Sequence, residues 1–150
     1  MAGYALFSFV AVLFSLGSSS AMSAQDKLGI REALQPFFVQ CSKEYGINEE
    51  QFEEAKKKGS AADIDPCFMS CFLKKSEFFD SKGMFDVEKT VEFSKAYAKN
   101  DEAIKFFDAI IQDCPKVNEA AVSDGEEGCE RAMMLFQCLH EHKQKFNLDD

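Results

Sequence analysis

Positive charge, histidine and tryptophan are all scarce in this sequence. Its 17 Lys and Arg residues stand against 26 Asp and Glu residues, which gives a formal net charge of −9 at pH 7. Nucleic-acid binding needs a basic surface, so this balance argues against a nucleic-acid partner. Tryptophan is absent, whereas phenylalanine occurs 16 times among the 150 residues. The sequence therefore predicts an interior built largely on phenylalanine.

The two histidines are poor candidates for catalysis. His140 and His142 are two residues apart, so on a helix their side chains point about 200° apart and cannot act on the same substrate atom. Cys67 and Cys71 have no second pair of ligands at zinc-site spacing. We therefore expect no enzymatic activity, no metal and no cofactor, and we interpret both histidines as surface groups at the end of a helix.

No charged side chain occurs in the first 24 residues. An apolar run over residues 4–16 is followed by small residues, which is the pattern of a secretory signal peptide cleaved after Ala21 or Ala24. The run is too short to span a bilayer, and no second run of spanning length follows it. The sequence thus predicts a signal peptide over residues 1–24, a secreted, extracellular product without stable membrane insertion, and one domain over residues 25–150.

All six cysteines lie in that domain, and an even number in a small secreted domain predicts three disulfides. Cys67 and Cys71 share one face of a predicted helix with their Cβ atoms about 5–6 Å apart, which is too far for a bond between them. Cys129 and Cys138 are nine residues apart, so they lie on opposite sides of a helix. Of the fifteen possible pairings, three contain the first pair, three the second and one both, so ten remain open.

Start and stop signals in the sequence predict six helices and no strand. The expected helices run from Asp26 as a cap to about Glu44, from Asn48 with its capping-box partner Gln51 to Gly59, from Asp65 and Pro66 to near Phe78 or Phe79, from Asp86 to about Lys99, from Asp101 to Pro115, and from a capping box at Ser123–Glu126 onwards. The last of these contains the apolar stretch Ala132–Leu139, which predicts a central position. The fold class is a compact, all-α domain stapled by disulfides.

The spacing of the cysteines is specific. Between consecutive cysteines, from Cys41 to Cys138, lie 25, 3, 42, 14 and 8 residues. This pattern resembles the six-cysteine insect odorant-binding proteins, in which the three-residue and eight-residue gaps are the invariant part. The match covers the whole chain after the signal peptide.

The resemblance implies an interlocked pairing of the cysteines and a hollow fold. The implied pairs are Cys41 with Cys71, Cys67 with Cys129, and Cys114 with Cys138. It also implies six helices around an internal apolar cavity that binds a small hydrophobic molecule. We expect the cavity wall among apolar residues that turn towards the sixth helix, with solid core as the alternative for each, and Tyr97 as a polar contact for a ligand oxygen. These candidate ligand-binding residues are Phe37, Phe38, Phe68, Phe72, Phe93, Tyr97, Phe107, Ile111, Met133 and Phe136.

Three functions are consistent with these features. The first is a secreted carrier that transports odorants, pheromones or similar lipophiles through aqueous fluid. The second is a non-olfactory carrier of lipophiles in saliva, seminal fluid or haemolymph, which differs from the first in the tissue that expresses it. The third is a secreted protein-recognition module with a solid core and no small ligand. A membrane receptor and a second copy of the chain are further candidate partners.

Overall fold

Local capping signals set most helix ends in this chain. The computed structural model describes residues 22–60 and 62–146, so residues 1–21 of the predicted signal peptide lie outside the described residues. The described helices are α1 (Ala24–Tyr45), α2 (Glu49–Lys58), α3 (Pro66–Lys75), α4 (Val87–Tyr97), α5 (Asp101–Asp113) and α6 (Cys129–Lys145), with short 3-10 segments at Cys114–Asn118 and Gly125–Glu127. Within these residues, Phe79 and Phe85 form an isolated bridge, and no strand occurs. The prediction of an all-α fold is confirmed.

Three predicted caps have the geometry that the sequence indicated. At α2, the Asn48 side chain accepts a hydrogen bond from the Gln51 N–H at 2.8 Å, and the Gln51 side chain accepts one from the Asn48 N–H at 3.1 Å. Asp65 caps α3 in front of Pro66, and Asp86 caps α4. Each of these caps joins residues at most three positions apart, so no tertiary contact is needed to form it.

The predicted starts of α1 and α6 are wrong. Ser23, and not Asp26, caps α1, because the Asp26 carboxylate is occupied by backbone N–H groups of a distant segment. At α6 the Ser123 hydroxyl contacts the Glu130 carboxylate, and the Asp124 carboxylate accepts hydrogen bonds from two N–H groups of the first turn. The predicted box at Ser123–Glu126 therefore does not form, and α6 begins at Cys129. In addition, α3 ends at Lys75, before the predicted end near Phe78.

α3 packs between α1 and α6 at the centre of the fold. Its Phe68 is fully buried, and Met69 and Leu73 are each 4% exposed. On α6, Ala132 and Leu135 face this core, whereas Gln137 is exposed. The outer face of α6 is thus solvated, although its inner face is central as predicted.

Three disulfides connect these helices, and they are the pairs that the resemblance implied. Cys41–Cys71 joins α1 to α3, Cys67–Cys129 joins α3 to α6, and Cys114–Cys138 joins the end of α5 to α6. α3 is therefore covalently tied on both sides.

Two glycines allow a close approach between a turn and the start of α6. Gly83 and Gly128 both have positive φ, and a Cβ on Gly83 would lie 2.8 Å from the Gly128 Cα. The buried Ser70 hydroxyl donates to the Glu127 carbonyl beside them at 2.5 Å. This contact fixes the start of α6 against α3 and next to the Cys67–Cys129 bond.

Among residues 22–60 and 62–146, no helix combines the length and the apolar character that crossing a bilayer requires.

Candidate ligand-binding cavity

A partly open cavity of about 600 Å³ lies between α1, α2, α3, α5 and the end of α6. This volume falls within the range of small-molecule sites, which is roughly 300–1,000 Å³. The cavity wall is mainly apolar and includes five phenylalanines. The apolar lining residues are Met22, Ile30, Leu34, Phe38, Phe52, Phe72, Phe106 and Phe107.

One face of α1 supplies the longest part of the wall. Ile30, Leu34 and Phe38 are spaced four residues apart, so they form a single stripe along the helix. α2 faces this stripe with Phe52, whose ring lies 5.1 Å from the Phe38 ring in an edge-to-face arrangement. Beneath both rings, the buried Phe68 lies 5.6 Å from Phe38 and 6.0 Å from Phe52. These aromatic contacts support the cavity floor, because each ring is held by two others.

Charged side chains line the cavity beside its apolar wall. Arg31 of α1 and Glu49 of α2 form an ion pair between two exposed side chains. Lys27, Glu53 and Lys143, all half-buried, also belong to the lining, and Gln35 adds an amide. The lining thus combines an apolar wall, suited to a hydrocarbon group, with charged and amide groups.

Of the ten predicted wall residues, the structure brings three to this cavity: Phe38, Phe72 and Phe107. Phe68 lies one layer below, in the solid core. Phe93, Tyr97 and Ile111 lie beyond Phe107, where the Phe93 ring is 4.6 Å from Tyr97 and 5.9 Å from Phe107. Tyr97 is 37% exposed and does not belong to the lining, so the proposed polar contact does not face the cavity.

The other three predicted residues also lie outside the lining. Met133 and Phe136 border a separate groove with Ile64 and Pro66 on the other side of α6. Phe37 is half-buried on α1 next to the stripe that faces the cavity. Met133 and Phe136 belong to α6 itself, on a side that faces away from the cavity, so neither forms part of its wall.

Five apolar lining residues were not predicted: Met22, Ile30, Leu34, Phe52 and Phe106. Ile30 and Leu34 share the stripe of Phe38, so the period of α1 could have indicated them. Phe52 lies in a helix that is otherwise strongly charged, where a lone aromatic residue could have indicated the buried face. Met22 falls within the predicted signal peptide and was therefore excluded.

A second cluster of polar groups lies where α5 and α6 end. His142 is 5% exposed, and its Nε2 lies 2.8 Å from the Asp113 carboxylate, so its assignment as a surface group is wrong. Two hydrogen bonds lower the pKa of Asp113 below its usual range: the bond from His142 has the larger effect, and the bond from Lys116 the smaller. Cys114 and Cys138 are nearby, but their sulfurs are bonded to each other and cannot act as thiolate ligands. This cluster therefore offers a metal only two ligands, and the His142–Asp113 contact is a hydrogen bond within the packing of α5 against α6.

Comparisons with known proteins agree with this geometry. A structural match is the odorant-binding protein dmelOBP28a from Drosophila melanogaster, with 24% sequence identity and a TM-score of 0.59. The match covers 83% of this chain and 99% of that chain, and at this identity it shows a shared fold. A search of curated proteins gave no match. A family model described as the PBP/GOBP family matches residues 23–142, which is most of the chain and includes all six cysteines. The chain therefore belongs to the PBP/GOBP family, the odorant-binding proteins that the cysteine spacing indicated.

Proposed function

We propose that this protein is a secreted, extracellular carrier that binds small hydrophobic molecules in the cavity beside α1 and transports them through aqueous fluid. The ligand class consists of odorants, pheromones or similar lipophiles. The observation that supports the proposal is an apolar cavity of about 600 Å³ in a chain of an odorant-binding family. The protein acts by binding alone and has no enzymatic activity.

Physical chemistry explains how such a cavity serves transport. Transfer of a hydrocarbon group from water to the wall is favourable by roughly 25 cal/mol per Å² of apolar surface removed from water. A cavity of this size would ordinarily lose packing contacts and collapse. The three disulfides oppose that collapse, because they hold α1, α3 and α6 at fixed positions around the space. Release then needs no chemistry, only the dissociation of the ligand.

Displacement of an environment-sensitive apolar dye by candidate lipophiles tests the proposal. We expect Leu34→Trp to fill the cavity from the middle of the α1 stripe and to weaken dye binding by roughly 10-fold or more, which corresponds to about 1.4 kcal/mol of binding free energy. Met134→Trp is the matched control, because Met134 is 36% exposed on the outer face of α6. Its dye affinity should stay within about 2-fold of wild type.

Two results would contradict the carrier function. The first is a wild-type protein, oxidised and folded, that binds no apolar probe. The second is an equal loss of dye binding in Leu34→Trp and Met134→Trp, since that would place the bound dye elsewhere on the molecule. Near-ultraviolet circular dichroism of each variant would verify that its packing is intact.

A further inference from the structure

The first described residue, Met22, is part of the fold. It is 8% exposed and packs in one cluster with Ala98, Ala103 and Phe107. Met22 also belongs to the lining of the ligand cavity. Met22 therefore contributes both to this buried cluster and to the cavity wall.

Ser23 closes the first turn of α1. Its hydroxyl accepts a hydrogen bond from the Asp26 N–H at 3.1 Å, and its carbonyl accepts one from the Lys27 N–H at 3.0 Å. Its extended backbone, with φ −62° and ψ 149°, is that of an N-cap. The capped turn also positions the Asp26 carboxylate on the N–H groups of Lys99 and Asn100. Removal of Ser23 would leave this turn without its cap at the point where α1 contacts the α4–α5 junction.

The two candidate cleavage bonds of the predicted signal peptide leave different products. Cleavage after Ala24 removes Met22 and Ser23, whereas cleavage after Ala21 retains both. Signal peptides have small residues at the first and third positions before the cleaved bond. Ala21 and Ser19 satisfy this rule for the earlier bond, but the later bond has the large Met22 at the third position.

From these observations we infer that the signal peptide is cleaved between Ala21 and Met22, and that Met22, as the first residue of the mature chain, is a ligand-binding residue of the cavity wall. Hydrolysis adds one water molecule across this peptide bond and leaves a carboxylate on Ala21 and an amino group on Met22. The inference rests on the secretion proposed above and adds to it one bond and one binding residue.

The cleavage bond can be tested by secretion of the full 150-residue chain from insect cells, followed by N-terminal sequencing and intact mass measurement. The expected mature chain begins at Met22. A product that begins at Gln25, or at any other residue, would overturn the inference but leave the carrier function standing. Recovery of the unprocessed chain inside the cells would contradict the proposed secretion as well.

The role of Met22 in the wall is tested on the secreted protein. We expect Met22→Gln to weaken binding of the apolar dye by roughly 5-fold, because an apolar wall contact becomes polar. Glutamine also keeps a large residue at the third position before the later bond, so the substitution creates no new cleavage site. Met134→Gln, the same change at an exposed methionine of α6, should leave the affinity unchanged. Equal dye affinity in wild type and Met22→Gln would overturn the assigned binding role. Failure of the wild type itself to bind the dye would instead contradict the carrier function.

Thermal melting tests the contribution of the Ser23 cap to the stability of α1. The Ser23→Ala variant should melt below the wild type by about 3–5 °C, the effect of one lost helix cap in a domain of this size. An unchanged melting temperature would show that α1 does not need Ser23, and the structural reason for retaining this residue would fail.

Discussion

Asp26 shows how one side chain connects distant parts of this molecule. It is 5% exposed, and its carboxylate accepts hydrogen bonds from the N–H groups of Lys99 at 2.7 Å and Asn100 at 2.9 Å, 73 and 74 residues along the chain. The hydrogen bonds from these N–H groups lower the pKa of Asp26, and the bond from Asn100 has a larger effect than the bond from Lys99. The carboxylate thus fastens the start of α1 to the junction of α4 and α5.

Replacement of Asp26 by asparagine should reduce the free energy of unfolding by about 1.5 kcal/mol at pH 7, because charge-assisted hydrogen bonds become neutral ones. Since the pKa is lowered in the folded state, the stabilisation is present above the ordinary pKa near 3.8 and is lost as the pH falls through the lowered value. The difference between wild type and Asp26→Asn should therefore shrink below about pH 4. Urea unfolding at a series of pH values measures this.

A control for this substitution is Glu50→Gln, since Glu50 is an exposed acidic residue in the first turn of α2. It should cost at most about 0.5 kcal/mol, the usual effect of a charge near a helix end. If both variants lose the same stability, the bonds to Lys99 and Asn100 contribute nothing specific.

The sequence indicated that Asp26 lies at the start of a helix, but its partners could not be predicted. The same is true of His142, which lies at the predicted end of α6 and is nevertheless buried against Asp113. In both cases the partner is distant in the chain, so burial depends on how the helices pack and not on neighbouring residues.

At the scale of elements, glycine decides how closely two segments approach. Gly83 has φ +72°, and an added Cβ would meet the Gly128 backbone at 2.8 Å. The added Cβ would meet a backbone atom and not the end of a flexible side chain. The clash could therefore be relieved only by movement of the turn or of the start of α6. The contact is therefore a specific requirement of the packing of this turn against α6.

Gly83→Ala should lower the free energy of unfolding by roughly 3 kcal/mol, the sum of a left-handed backbone cost and an overpacking cost. Gly125→Ala is the matched control, because Gly125 also has positive φ, at +57°, but nothing lies within 4 Å of its added Cβ. The control should lose only about 1 kcal/mol. Chemical denaturation of both variants would measure the difference, and equal losses would show that the backbone contact is relieved without cost.

Helix ends were predictable where the cap is a local contact, as at Asn48 with Gln51 and at Asp86 with the Lys89 N–H. The start of α6 was not, although Ser123 and Glu126 have the spacing of a capping box. There the Ser123 side chain is engaged by Glu130 and a 3-10 segment intervenes, so a nearby competitor replaced the predicted cap.

At the scale of the whole molecule, the disulfides join helices that surround the cavity to one another. The Cys67–Cys129 bond spans 62 residues, compared with 30 for Cys41–Cys71 and 24 for Cys114–Cys138. It also connects the two helices with the most extensive mutual packing, α3 and α6. The entropy of the unfolded chain is reduced most by the longest loop.

Replacement of both Cys67 and Cys129 by serine should lower the free energy of unfolding by about 4 kcal/mol and weaken dye binding, because α3 and α6 are then free to separate. Replacement of both Cys114 and Cys138 removes a shorter loop and should cost about 3.5 kcal/mol. Guanidinium unfolding and dye titration measure both effects. Unchanged unfolding and binding after loss of Cys67–Cys129 would refute the role of α3 as the covalently fixed centre.

The sequence by itself determined the helical fold, most helix ends and the family, because capping is local and cysteine spacing is a direct property of the chain. Tertiary structure decided which phenylalanines face a cavity and which fill the core. Phe38 and Phe68 have equally apolar surroundings in sequence, yet one lines the cavity and the other lies fully buried beneath it. Helical periodicity gives the apolar face of a helix but not whether that face meets another helix or an open space, so only the packing of the helices located the candidate cavity.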